Sequence, residues 1–105
     1  MQTLDLQMSA TNATPDAPAK VVVYTTLLCS FCHRAKALLR KKGVAFTEID
    51  VGMDPAKRAE MTKRANGCHT VPQIFIDGKH VGGCDDLHDL EGQGKLDLLL
   101  AEASR

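Results

Sequence analysis

The chain carries no net charge: 13 Lys and Arg balance 13 Asp and Glu over 105 residues. That balance gives no argument for nucleic acid or an anionic membrane as partner. Long apolar runs are missing as well, and no stretch approaches the roughly 18 consecutive apolar residues of a membrane span. The first basic residue is Lys20, and no long apolar run follows the start, so no secretory signal is expected. A cytoplasmic (cytosolic) location follows as the expectation. Cysteine is sparse, at Cys29, Cys32, Cys68 and Cys84. Their spacing does not resemble a small secreted disulfide framework, which substitutes for a missing core. Here 44% of the residues are hydrophobic, ordinary for a single small domain that builds its own core.

Residues 1–19 are polar and small, with Pro15 and Pro18 near their end, and read as a disordered N-terminal extension. Met8 offers a second start within it. The domain spans 20–105. Val21 to Thr25 is a β-branched apolar run, as in a strand buried on both faces. Residues 30–42 read as a helix: Ala35, Leu38 and Leu39 form its buried face, and Arg34, Lys36, Arg40, Lys41 and Lys42 a solvated one. Gly43 follows as a C-cap glycine. A second strand is expected over 45–51, giving a strand–helix–strand unit with a parallel pair. Pro55 opens a helix that Asn66-Gly67 ends. Ile74 to Ile76, Asp77-Gly78 and Val81 read as a hairpin with a type I′ turn. Asp85 and Asp86 open a short helix, and Leu96, Leu99 and Leu100 build a last one. The expected order is β-α-β-α-β-β-α-α, an α/β fold with one mixed four-stranded sheet flanked by helices.

The chemistry lies in Cys29-Ser30-Phe31-Cys32, where a strand ends and a helix begins. At a helix N-terminus the unpaired backbone N–H groups and the dipole favour negative charge. A thiol there is expected to be acidic, and the thiolate is the reactive form. Cys32 lies one turn on, close enough to attack a disulfide formed on Cys29. In a reducing compartment such a pair in a βαβ context points to thiol–disulfide exchange rather than to two buried structural cysteines.

The segment from Cys29 to Leu39 resembles the active-site helix of glutaredoxins. So do Thr70 to Gly78 (TVPQIFIDG) and Val81 to Leu87 (VGGCDDL). These three motifs, in order, extend the resemblance over about residues 20–103, and it is greatest with small bacterial dithiol glutaredoxins. The resemblance implies a thioredoxin fold, with glutathione as reductant and glutathionylated or disulfide-bonded proteins as partners. It implies Cys29 as nucleophile and Cys32 as a resolving thiol, dispensable for deglutathionylation. Pro72 is expected in a cis bond after Val71, whose backbone would pair with glutathione like an added strand. Thr70 and Gly83 are likewise expected among the glutathione-binding residues, and Phe31 is expected to supply an apolar wall. The backbone amides of Cys84 and Asp85 would hold the γ-glutamyl carboxylate, and the Asp86 carboxylate the ammonium group.

Three positions depart from the family. Ser30-Phe31 replaces the usual Pro-Tyr. In some relatives, serine after the first cysteine accompanies a [2Fe–2S] cluster between two subunits, each giving its nucleophilic cysteine and a glutathione. Cys29 is then the metal ligand and the protein a dimer; otherwise a monomer is expected. Thr26 stands where lysine commonly binds the glycine carboxylate, so weaker glutathione binding is expected unless Arg64 or His69 substitutes. Cys68-His69 stands where an arginine often precedes Thr-Val-Pro, near the glutathione groove. It reads as a loop substitution before it reads as a modifiable third thiol.

Other readings are weaker. Cys29-x-x-Cys32-His33 fits haem c attachment, but that chemistry needs export. Structural zinc needs two spaced ligand pairs, whereas Cys68-His69 is adjacent. The basic stretch 34–42 lacks interleaved aromatics and reads as a solvated face. His80 and His88 have no partner pattern and read as surface residues.

Overall fold

A computed structural model describes residues 20–103; the expected extension, 1–19, lies outside the described residues. The elements are β1 (Val21–Thr25), α1 (Ser30–Lys41), β2 (Thr47–Asp50), α2 (Pro55–Arg64), β3 (Gln73–Ile76), β4 (Lys79–Gly82), α3 (Cys84–Gly92) and α4 (Leu96–Ala103). The sheet order is β2-β1-β3-β4. β1 runs parallel to β2, with Val22 opposite Thr47, and antiparallel to β3, with Val22 opposite Phe75. β3 and β4 form the expected hairpin, with Asp77 and Gly78 both at positive φ (53° and 79°), as a type I′ turn requires.

Strand alternation divides the core. Val21, Val23, Ile74 and Ile76 face one way and pack against Ala35, Leu38, Leu39, Leu87 and Leu96 of α1, α3 and α4. Tyr24 and Phe75 face the other way and pack with Val51 and with Met61 and Ala65 at α2. Burial on both faces explains why β1 reads as a continuous apolar run. Tyr24 and Phe75 meet edge to face at 5.7 Å between ring centroids.

α1 stops where its sequence directs. Gly43 takes φ 72° and donates to the Arg40 carbonyl at 2.9 Å, while Val44 N–H reaches the Leu39 carbonyl at 3.2 Å. This pair of bonds is a Schellman cap. β2 is shorter than expected, four residues rather than seven, because among the described residues it pairs only with β1 and that pairing spans 22–25.

A surface assignment on α1 is overturned. Lys36 is not on the solvated face of α1 but buried, 8% exposed, with Nζ 2.8 Å from Glu48 Oε2. The same oxygen accepts from Thr25 Oγ1 at 2.8 Å. Lys36 lies four residues after Cys32 and three before Leu39, which places it on the helix face that β1 and β2 cover. A buried ammonium is tolerated there because it is paired. The bond from Lys36 is the largest influence holding the Glu48 carboxyl below its ordinary range, opposed by burial and aided by Thr25.

Candidate active site

Cys29 is the N-cap of α1. Its backbone is extended (φ −122°, ψ 107°), and its sulfur accepts the Cys32 N–H at 3.1 Å. Backbone geometry at the cap thus aims an otherwise orphaned helix donor at the sulfur. The Cys29 thiol in turn contacts the Val71 carbonyl at 3.8 Å. Cys29 is partly exposed, while Cys32 is fully buried at 0%. Burial, reinforced by the side-chain bond with Cys29, pushes the Cys32 thiol up to about 12. The pair is therefore asymmetric: one sulfur is accessible and faces a donor, and the other is sealed and held as a thiol.

Beside Cys29 runs a groove of about 480 Å³. Phe31, Thr70, Val71, Pro72, Gly83, Cys84, Asp85 and Asp86, which the sequence singles out from three separate segments, all line it. The Val71–Pro72 bond is cis. α3 begins at one wall of the groove, with Gly83 as N-cap, and the Asp86 carboxylate accepts the Gly83 N–H at 2.9 Å. Cys84 is buried at 4% exposure, and burial raises its thiol, so it is a packing residue. Its backbone, at the first turn of α3, is what the groove can use.

The floor of the groove was not legible in the sequence. Gln73, 3% exposed, donates through Nε2 to the Thr70 carbonyl at 3.0 Å, and its Oε1 pairs with His80 Nε2 at 2.6 Å. His80 Nδ1 faces Asn66 Nδ2 at 3.5 Å, so the network assigns the Nε2–H tautomer. His80 also packs on Phe75, with centroids 5.1 Å apart. His80 is thus not a free surface residue; it ties β4 to the loop that presents Val71. Nor is His88: its Nε2 is buried and has no hydrogen-bond partner among the described residues. The one available signal for His80 was its place two residues past the Asp77-Gly78 turn, across the hairpin from Phe75.

Cys68 lines the groove, as expected of its position, and is exposed. His69 does not line it; its carbonyl is held by the Arg58 guanidinium at 2.9 Å. Arg64 does not line it either. Its Nη1 donates to Tyr24 Oη at 2.6 Å, and the guanidinium lies 4.7 Å from the Phe75 ring centroid. Neither residue therefore stands in for the lysine that Thr26 replaces, and among the described residues no Lys or Arg lines the groove.

An accessible N-cap thiol with a buried partner one turn on is equipped for thiol–disulfide exchange. Comparison with known proteins agrees. The family model described as Glutaredoxin matches residues 21–81. Glutaredoxin 3 of Escherichia coli K12 is 57% identical over 82 residues, which cover 78% of this chain and 98% of that protein. The solution structure of glutaredoxin from Brucella melitensis is 54% identical, with a TM-score of 0.70 over 83% of this chain and 94% of that one. A crystal structure of a buckwheat glutaredoxin–glutathione complex superposes with a TM-score of 0.76 at 32% identity, covering 82% and 80% of the two chains. With motif, site and thioredoxin fold in agreement, the chain belongs to the glutaredoxin family of thiol–disulfide oxidoreductases.

Proposed function

We propose that the protein reduces mixed disulfides between glutathione and other thiols, with glutathione as the reductant. The Cys29 thiolate attacks the glutathione sulfur, forming a Cys29–glutathione disulfide and releasing the substrate as a thiolate, which takes up a proton. A second glutathione thiolate then attacks the glutathione sulfur of that disulfide. Cys29 is regenerated, and oxidised glutathione leaves with the two electrons' worth of oxidation. The observation that carries this reading is the contact of Cys29 with Val71, at the edge of a groove lined by all eight residues named for glutathione. The Val71 backbone pairs with the cysteine of glutathione. The amides of Cys84 and Asp85 take the γ-glutamyl carboxylate and the Asp86 carboxylate takes the ammonium. No lining cation meets the glycine carboxylate, so we expect modest affinity for glutathione.

The same site reduces protein disulfides: Cys29 forms a mixed disulfide with one half of the substrate, and Cys32 then attacks the Cys29 sulfur, releasing that half as a thiolate and leaving a Cys29–Cys32 disulfide that two glutathione molecules reduce. That step requires Cys32 as a thiolate, a form that its burial disfavours. A bridged [2Fe–2S] cluster would draw one ligand, Cys29, from each chain. Its remaining ligands would come from glutathione, so such a cluster would use the same thiol and the same groove. We place this activity in a reducing, cytosolic setting.

The test is glutathione-coupled turnover of a small mixed disulfide. Cys29→Ser should abolish it and Cys32→Ser should retain it. Turnover that survives loss of Cys29 would overturn the mechanism, and negligible wild-type turnover would overturn the function.

A further inference from the structure

Five large apolar side chains are exposed among the described residues, and four of them stand at the end of the sheet that carries Cys29. Leu27 is 76% exposed, Leu28 96%, Met53 96% and Phe31 50%; Leu98 is the fifth. Single exposed apolar residues need no explanation, but a cluster beside a reactive group does. Leu27 and Leu28 occupy the link from β1 to Cys29, and Met53 follows β2. These links leave the carboxyl ends of neighbouring parallel strands. Val51 N–H donates to the Thr25 carbonyl at 2.8 Å, and a Cβ built on Gly52 would lie 3.6 Å from Thr26 Cβ. Leu27 and Met53 are each one residue beyond that contact. The groove lies to the other side of β1, on the β3, β4 and α3 flank. Cys29 therefore separates a groove with polar ends from an apolar rim.

A mixed disulfide has two halves of different character. If the groove takes the glutathione half, as in the function proposed above, the protein half departs from the glutathione sulfur and lies over the surface around Cys29 that the groove leaves free, which includes the rim. We infer that Leu27, Leu28 and Met53 receive the protein half, and that the enzyme prefers cysteines flanked by apolar side chains. This inference rests on the proposed glutathione reading. Its occupant is an extended substrate segment, because the rim is continuous with the sulfur that every substrate must reach. Met suits such a surface, since its flexible thioether adapts to varied apolar partners.

The experiment uses the full chain and two peptides of equal length, each carrying one cysteine as a glutathione mixed disulfide. One has Leu and Val beside the cysteine, the other Ser and Asn. The wild type should favour the apolar peptide in kcat/KM by about tenfold, the factor equivalent to about 1.4 kcal/mol. Leu27→Ser/Leu28→Ser should erase that preference while leaving turnover of the small mixed disulfide within about twofold. A Leu27→Thr/Leu28→Thr variant repeats the test with β-branched side chains. Equal wild-type kcat/KM for the two peptides would overturn the inference, as would a preference that survives both double variants. So would sedimentation showing a wild-type dimer that the variants dissociate without any change in peptide preference, which would make the rim an interface between copies. Absence of small-disulfide turnover in the wild type would instead overturn the glutathione reading itself.

Discussion

Replacing Gly82 by alanine tests how the groove is built. Gly82 closes β4 at φ 122°, a conformation that L side chains rarely adopt. A Cβ placed there would sit 2.7 Å from Asp86 Cγ and 3.0 Å from Asp86 Cβ, and closer still to Oδ2. Asp86 cannot stay where it is, yet its carboxylate accepts the Gly83 N–H that opens α3, at 2.9 Å. Two losses add. The left-handed backbone costs about 1–3 kcal/mol for a residue with a side chain, and the lost capping bond about 1 kcal/mol. The sum, about 2–4 kcal/mol, corresponds to a fall in Tm of at least about 8 °C for a domain of this size. Thermal unfolding followed by far-UV circular dichroism, with reductant present, reads that fall. Because the displaced carboxylate is the group assigned to the glutathione ammonium, KM for glutathione should rise about threefold or more. A variant that melts within about 2 °C of the wild type with an unchanged KM would refute the placement of Asp86 against Gly82 and its assigned role.

Two further outcomes follow from buried groups. Glu48→Gln should destabilise the fold near neutral pH by about 1–2 kcal/mol, since it leaves the Lys36 ammonium with a weaker partner; the figure is held down because the Glu48 side chain is 38% exposed. The folded-state pKa of Glu48 is lowered below 4.5, so its contribution is complete above that value and lost as pH falls through the lowered one. Urea unfolding from about pH 6 to about pH 3 should show the gap between wild type and variant closing, and a constant gap would contradict the pairing. Brief iodoacetamide treatment of the native reduced protein should modify Cys29 and Cys68 and spare Cys32 and Cys84, which are 0% and 4% exposed. Mass spectrometry after proteolysis reads the sites, and labelling of Cys32 as fast as Cys29 would contradict the sealed pair.

The path of the chain was largely legible because its punctuation is local. Gly43, Asn66-Gly67 and Asp77-Gly78 sit where the backbone adopts positive φ, and each stops or turns an element by its own conformational preference. The eight groove residues were legible through resemblance, since they come from three segments that only the fold brings together. What escaped depends on partners distant in sequence. Lys36 looks solvated by residue type, although its spacing from Cys32 and Leu39 puts it on the covered face. Only Glu48, on a strand that folds over it, makes burial of its charge tolerable. The His80–Gln73–Thr70 chain crosses a hairpin and a loop, and no periodicity announces such a chain. The inability of Arg64 to replace the missing lysine is likewise tertiary: Tyr24, forty residues earlier, holds it.

The two outer strands bear on how the molecule behaves in a crowd. With a net charge of zero, it has little electrostatic repulsion to keep copies apart. An open sheet edge would then invite another chain to add a strand. Both outer strands, β2 and β4, are only four residues long. Glu48 and Asp50 place charge along the first, and Gly82, at φ 122°, bends the last residue of the second away from strand geometry. Brevity, acidic residues and a bent terminus thus supply the protection against self-association that net charge does not.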